Sequence, residues 1–244
     1  MKRIEVFGCP MDAATMDETV ATIMTRVDAG QFTQHVVVNV AKLVHMQADK
    51  ELAKSVQDCD LISIDGMGVI WAARMLGHAV PERVAGVDLF DRLLAEAARL
   101  GLPVYLLGAT DEVVTRVATI CTARYSGLQV AGYHHGYFGD DQQSVVDRIR
   151  ESGARLLFVA ITSPTKENFI NRWQAALGVD FVMGVGGTFD VVAGKVSRAP
   201  RWMQRSGLEW FFRVLQEPRR MWRRYLVTNS KFALMLGKAL IVQR

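Results

Sequence analysis

Apolar runs of strand length alternate with helix-patterned segments along the first 195 residues, and the alternation stops beyond Pro200. This rhythm restricts the chain to an α/β class with a mostly parallel sheet, because parallel neighbours need a crossover long enough to hold a helix. The strand-length runs are 3–7, 34–40, 60–64, 103–107, 128–133, 155–161 and 180–185. Apolar residues at three- and four-residue spacing predict helices over 15–29, 41–57, 67–77, 88–100, 111–124, 141–152 and 165–177. Two further helices are expected over 202–216 and 218–241, broken at Glu217-Pro218, where proline suits a first helical turn.

Charge divides the chain at the same place. From Lys195 onward twelve Lys or Arg stand against Glu209 and Glu217, a balance of +10 in a chain whose total is +4. The preceding residues therefore sum to −6. The tail interleaves its arginines with Trp202, Trp210, Phe211, Phe212, Trp222 and Tyr225. That mixture suits an anionic surface over an apolar interior, a membrane or a lipid-borne polyphosphate. The expected organisation is an α/β core over 1–195 and a basic helical appendage over 196–244.

Other features narrow the class. Cys9, Cys59 and Cys121 are far apart and odd in number, which fits a reducing cytosol better than a disulfide framework. Asp12, Asp17 and Glu18 interrupt any signal-peptide core. No stretch reads as the roughly 20 apolar residues of a spanning helix, so membrane contact is expected to be peripheral. No nucleic-acid motif accompanies the basic patch, and nucleic acid is not an expected partner.

In open parallel sheets, ligands bind beyond the carboxyl ends of the strands. Asn39 and Lys42 follow the second predicted strand, and Asp65-Gly66-Met67-Gly68 the third. Gly108, Ser163-Pro164 and Gly184-Val185-Gly186-Gly187 follow later ones. Asp65 can act as a general base or cap the helix that follows it. Gly184 to Asp190 can present backbone N–H groups to a phosphate or make a plain tight turn. Asp88 reads as a helix N-cap, whereas Arg83 has no such role and is available to an anion. His134-His135 reads as a substrate-facing loop or a satisfied turn pair, with no further ligands at zinc spacing. Arg213, Arg219, Arg220, Arg223 and Arg224 form either a solvated basic face or a diphosphate clamp.

Taken in order, Asn39, IDGMGVIWAAR (64–74), RVAGVDL (83–89), YLLGA (105–109), GYHHGYF (132–138), SPTKE (163–167) and the long block from Gly184 to Leu226 resemble the WecG/TagA/CpsF glycosyltransferases, glycosyltransferase family 26. The final block, with AGKVSRAP followed by GLEW, EPRR and RRY, is the most specific part. The resemblance implies a Rossmann-like core with a basic C-terminal appendage that docks on the membrane and completes the active site. It implies an inverting, metal-independent enzyme of the cytosolic membrane face that needs no cofactor. The sugar, N-acetylmannosamine-, mannosaminuronate- or glucose-like, moves from a UDP-sugar donor to a polyprenyl-diphosphate-linked saccharide in cell-surface polysaccharide synthesis. On the matching positions, Asp65 is the implied base. Arg83, Arg213, Arg220 and Arg223 would meet diphosphate charge, Asn39 a sugar hydroxyl. Gly108, Lys166, Gly184, Gly186 and Gly187 complete the implied binding set, with no metal ligand.

Two positions depart from the family pattern: Val37 stands where Thr is usual, and Lys166 where Gln is usual. A lost hydroxyl and an amide replaced by a cation imply a changed donor or acceptor, a different sugar or an acidic one. The same departures keep open a second reading, a catalytically impaired relative serving as a scaffold in a polysaccharide assembly complex. A homo-oligomer is compatible with the apolar tail, which can pack on a neighbouring subunit when no membrane is present.

Overall fold

The computed structural model describes residues 1–242, without the side chains of Arg205 and Arg220. The Arg220 side chain, expected at a diphosphate, and residues 243–244 of the expected appendage thus lie outside the described residues. Strands β5 (Val104–Gly108) and β7 (Leu156–Ala160) are buried at every residue, the pattern of strands covered by helices on both faces. They lie within an eight-stranded sheet with β1 (Lys2–Val6), β2 (Cys9–Ala13), β3 (Thr33–Val38), β4 (Leu61–Ile64), β6 (Val130–His134) and β8 (Phe181–Gly184). The spatial order is β1-β2-β4-β3-β8-β7-β5-β6. Among the described residues, only the β1/β2 pair is antiparallel.

Alternate residues of the strands feed opposite cores. On one face α1 (Met16–Asp28), α5 (Gly86–Leu100), α6 (Asp111–Arg124) and α9 (Thr188–Val192) surround Leu106, Phe158 and Phe181. Phe90 of α5 meets Phe158 edge-on at 4.8 Å. The other face is covered by α2 (Val40–Met46), α3 (Lys50–Gln57) and α4 (Met67–Met75) over β3 and β4, and by α7 (Gln142–Glu151) and α8 (Thr165–Trp173) over β5 and β7.

The structure corrects several boundaries. The expected helix over 41–57 is two helices, because Asp49 accepts from Leu52 N and starts a new one. Strand β2 was not expected: Pro10 disguises it, yet Pro10 sits in register opposite Glu5 in a terminal hairpin. Helix α5 starts at Gly86 with Ala85 as its N-cap. Asp88 is therefore inside the first turn and not the cap; its carboxylate takes a bidentate pair from Arg198 at 2.5 and 2.7 Å.

Beyond Pro200 the chain forms α10 (Arg201–Arg205), α11 (Glu209–Gln216) and α12 (Pro218–Val242). The expected helix over 202–216 breaks at Gly207, whose φ of +73° belongs to the left-handed region. A Cβ there would lie 2.8 Å from Met67 Cβ, so the turn also seats closely on α4. Along α12, Met221, Thr228 and Phe232 are buried as one stripe, and Phe232 packs edge-on to Phe7 at 5.5 Å. Trp222, Leu226, Leu234 and Ile241 are exposed. Met221–Val242 is long and apolar enough, by length and composition, to cross a membrane. This corrects the expectation that no stretch qualifies; beyond Arg223 and Arg224 the helix carries Lys231 and Lys238 within an otherwise uncharged run.

Candidate active site at the carboxyl edge of the sheet

Asp65 follows β4 directly, and its amide N–H donates to Val38 O at 2.8 Å, which fixes it beside the end of β3. It does not cap α4; Gly66 holds that position, without a side-chain cap. The half-buried Asp65 carboxylate instead accepts the N–H of Gly86, the first residue of α5, at 3.2 Å. Burial pushes the Asp65 carboxyl above the ordinary range, and Glu209 adds to the rise. Arg83, the Gly86 amide and Arg213 pull the other way. A carboxylate poised in this way, at a strand end with cations around it, is suited to taking a proton.

Arg83 comes from the core, yet its guanidinium donates to Glu209 of α11 at 3.0 Å, with both side chains less than a fifth exposed. Arg198 also feels the negative fields of Glu209 and Asp65 while holding Asp88. Tyr225 of α12 is half-buried in the same field, its hydroxyl pushed up by burial and drawn down by Arg213 and Arg224. Tyr225 also leans on Trp210, with ring centroids 5.7 Å apart. The segment before α10 delivers Arg198, and α11 and α12 deliver Glu209, Arg213 and Tyr225, to the surroundings of Asp65. Arg223 is exposed. Its helical phase puts it on the opposite side of α12 from Tyr225 and the buried stripe.

Asn39 is the N-cap of α2, its Oδ1 accepting Lys42 N at 3.0 Å, so half of that amide is structurally committed. Gly66 lies against it: a Cβ on Gly66 would be 3.7 Å from Asn39 Cβ. Deeper in the same edge, Lys42 and Lys166 each place Nζ 2.7 Å from Glu167 Oε1. All three residues are less than a tenth exposed. Burial alone would raise Glu167, but the two lysines outweigh it and hold the carboxyl at about 2. Burial, then repulsion from Lys42, pushes Lys166 down to about 8.

The glycines divide into different uses. A Cβ on Gly184 would sit 2.8 Å from Lys166 Cε, so that glycine makes room for a lysine stem. Gly186, at φ +53°, and Gly187 face open space, and α9 behind them is only five residues long. Gly108, at φ +127°, lets β5 pass the Ala160 backbone, which a Cβ would approach to 2.5 Å. His135 is engaged within its own turn, its Nδ1 taking the N–H of Tyr137 at 3.2 Å, which favours the satisfied-turn reading. Among the described residues, no group of three or more His, Cys, Asp or Glu side chains is placed to hold a metal ion.

The sequence reading assigned neither Glu209, Arg198 nor Tyr225 to the site, and gave Tyr225 only to the anionic-surface mixture. Glu209 is one of only two acids in the basic tail and sits within GLEW, a signal that could have marked it.

Comparison with known proteins places this arrangement. The family model described as "Glycosyl transferase WecG/TagA/CpsF family" matches residues 4–244. An N-acetylglucosaminyldiphosphoundecaprenol N-acetyl-beta-D-mannosaminyltransferase of Bacillus subtilis is 34% identical over 190 residues, 78% of this chain and 73% of that protein. A protein of the same name from Bacillus spizizenii is 37% identical over 167 residues, 68% of this chain and 64% of that protein.

Proposed function

The chain belongs to the glycosyl transferase WecG/TagA/CpsF family, and from that premise we propose that it moves a sugar from a UDP-sugar to a polyprenyl-diphosphate-linked saccharide. The relatives' names supply the acceptor class, N-acetylglucosamine on a diphosphoundecaprenol. The observation that carries the reading is Asp65: a half-buried carboxylate at the carboxyl edge, above its ordinary pKa range, in the field of Arg83 and Arg213.

In this account Asp65 takes the proton of the acceptor hydroxyl as its oxygen attacks the anomeric carbon of the donor. The bond from that carbon to the diphosphate breaks on the opposite face, inverting the configuration, and UDP departs. Arg83 and Arg213 meet the charge that develops on the leaving diphosphate, as preorganised cations do in a water-poor site. Arg220 is the further tail candidate for that charge. Asn39, through the half of its amide not used as a cap, orients a sugar hydroxyl, and Gly186 and Gly187 leave the backbone open to a ligand.

Residues 196–244 act in this reading as the appendage that docks on the cytosolic face of the membrane. Exposed Trp202 and Trp222 among arginines would sit at the lipid headgroups. That docking would present the lipid-linked acceptor to Asp65 from the same side as Arg213. Transfer with native and Asp65→Ala protein tests the role of Asp65; equal rates would remove it from the chemistry.

A further inference from the structure

Glu209 is an acid that the basic tail turns inward. Its carboxylate accepts from Arg83 Nη1 at 3.0 Å, with the two side chains 19% and 15% exposed. A cavity of about 10 Å³, room for one water, is lined in part by Glu209, Arg198 and Arg213, so the carboxylate lies among the arginines of the site. The tail is seated on the core by other contacts as well. Gly207 packs on Met67 of α4, α12 buries Met221, Thr228 and Phe232, and Arg198 holds Asp88. The Arg83 contact adds direction to that seating. A guanidinium carries five N–H donors in a rigid fork, and a carboxylate on one of them fixes where the others point. Among the described residues, Glu209 is the one carboxylate hydrogen-bonded to Arg83, which enters from the segment before α5.

We infer that Glu209 is a positioning residue for sugar transfer: it fixes Arg83 so that the remaining guanidinium donors meet the leaving diphosphate while Asp65 takes the acceptor proton. The inference rests on the nucleotide-sugar reading above and deepens it, adding a tail carboxylate that acts through Arg83 and touches neither reactant. The charge of Glu209 also bears on Asp65. The other groups in that field are Arg83, Arg198, Arg213 and Tyr225. Glu209 raises the Asp65 carboxyl, whereas Arg83 and Arg213 lower it. One side chain thus supplies both an orientation and a field, and each leaves its own kinetic mark.

The test is UDP release by the full chain with a lipid-diphosphate-linked N-acetylglucosamine acceptor and the best donor from a panel of UDP-sugars. Native protein, Glu209→Gln, Glu209→Asp, Arg83→Gln and the Glu209→Gln, Arg83→Gln double variant are followed across pH, each below its own Tm. Glu209→Gln should lower kcat roughly tenfold. Donor KM should barely move, because Arg83 acts on charge that develops after binding. The acid limb of the pH profile should shift to lower pH, since Asp65 loses a neighbouring negative charge. Glu209→Asp keeps that charge and should restore the limb. In the Arg83→Gln background Glu209→Gln should cost nothing further, because the residue it acts through is gone. A kcat loss that multiplies with that of Arg83→Gln and leaves the acid limb in place overturns the inference, for it describes a residue that only holds the tail down. Native rates in Glu209→Gln overturn it too. Absence of acceptor-dependent release by native protein with every donor would instead overturn the transferase reading, and the positioning role with it.

Discussion

Arg83 of the sheet's carboxyl edge and Glu209 of α11 meet at 3.0 Å, joining the core to the basic tail beside Asp65. The pair fixes the direction of a core arginine through a tail carboxylate. It also places Glu209 where its charge adds to the raised pKa of Asp65. Core and tail therefore share one electrostatic site, so damage to the junction should be felt in both stability and transfer.

Glu209→Gln leaves Arg83, 15% exposed, without its anion. Loss of a charged hydrogen bond in a mostly buried site costs about 1–3 kcal/mol. For a chain of this length that corresponds to a Tm lower by several degrees. Thermal unfolding of the variant checks this, and an unchanged Tm would mean that the junction contributes nothing.

Asp65 gives a pH signature. Its folded pKa lies above the unfolded value, so its contribution to stability is present at low pH and is lost as pH rises through the folded pKa. Ionised Asp65 thus weakens the fold at neutral pH. Asp65→Asn should raise Tm at pH 7, and the gain should shrink as pH falls into the ordinary carboxylate range. Transfer should fall by about 10²–10⁴-fold in the same variant. A Tm gain independent of pH would contradict this account of the carboxyl.

Gly184 and Lys166 should be coupled. Gly184→Ala introduces a Cβ 2.8 Å from Lys166 Cε and displaces a buried lysine from Glu167, at a cost of about 1–3 kcal/mol. In a Lys166→Ala background the space is free and most of that cost should vanish. A double-mutant cycle in urea reads the coupling directly; additive losses would mean that Gly184 is needed for another reason.

The order of alternating elements was legible because helix and strand periods differ and the central strands are apolar throughout. The rest depended on contacts that a linear reading cannot weigh. By position Asp65 looked able to cap the following helix, but Gly66 takes that place and the Asp65 carboxylate turns to Gly86, 21 residues on. Gly108 and Gly184 stood in the right places, yet each is explained by a neighbour remote in sequence, Ala160 for one and Lys166 for the other. Asp88 resembled a cap because the start of α5 was set two residues late. Arg213 lies in the field of Asp65, whereas Arg223 faces away from Tyr225 with the phase of α12.

Membrane docking should follow the exposed aromatics. Replacing both Trp202 and Trp222 with Ala should reduce co-sedimentation with anionic vesicles by more than tenfold without lowering Tm, since both side chains are more than half exposed. Binding that depends only on salt, and survives loss of both tryptophans, would assign the attraction to the arginines alone.

The most direct test of the central claim is UDP release with a panel of UDP-sugars and a lipid-diphosphate-linked N-acetylglucosamine acceptor, using native and Asp65→Ala protein. Release should need the acceptor and fall by at least a hundredfold in the variant. Acceptor-dependent release that proceeds equally well without the Asp65 carboxylate would contradict it.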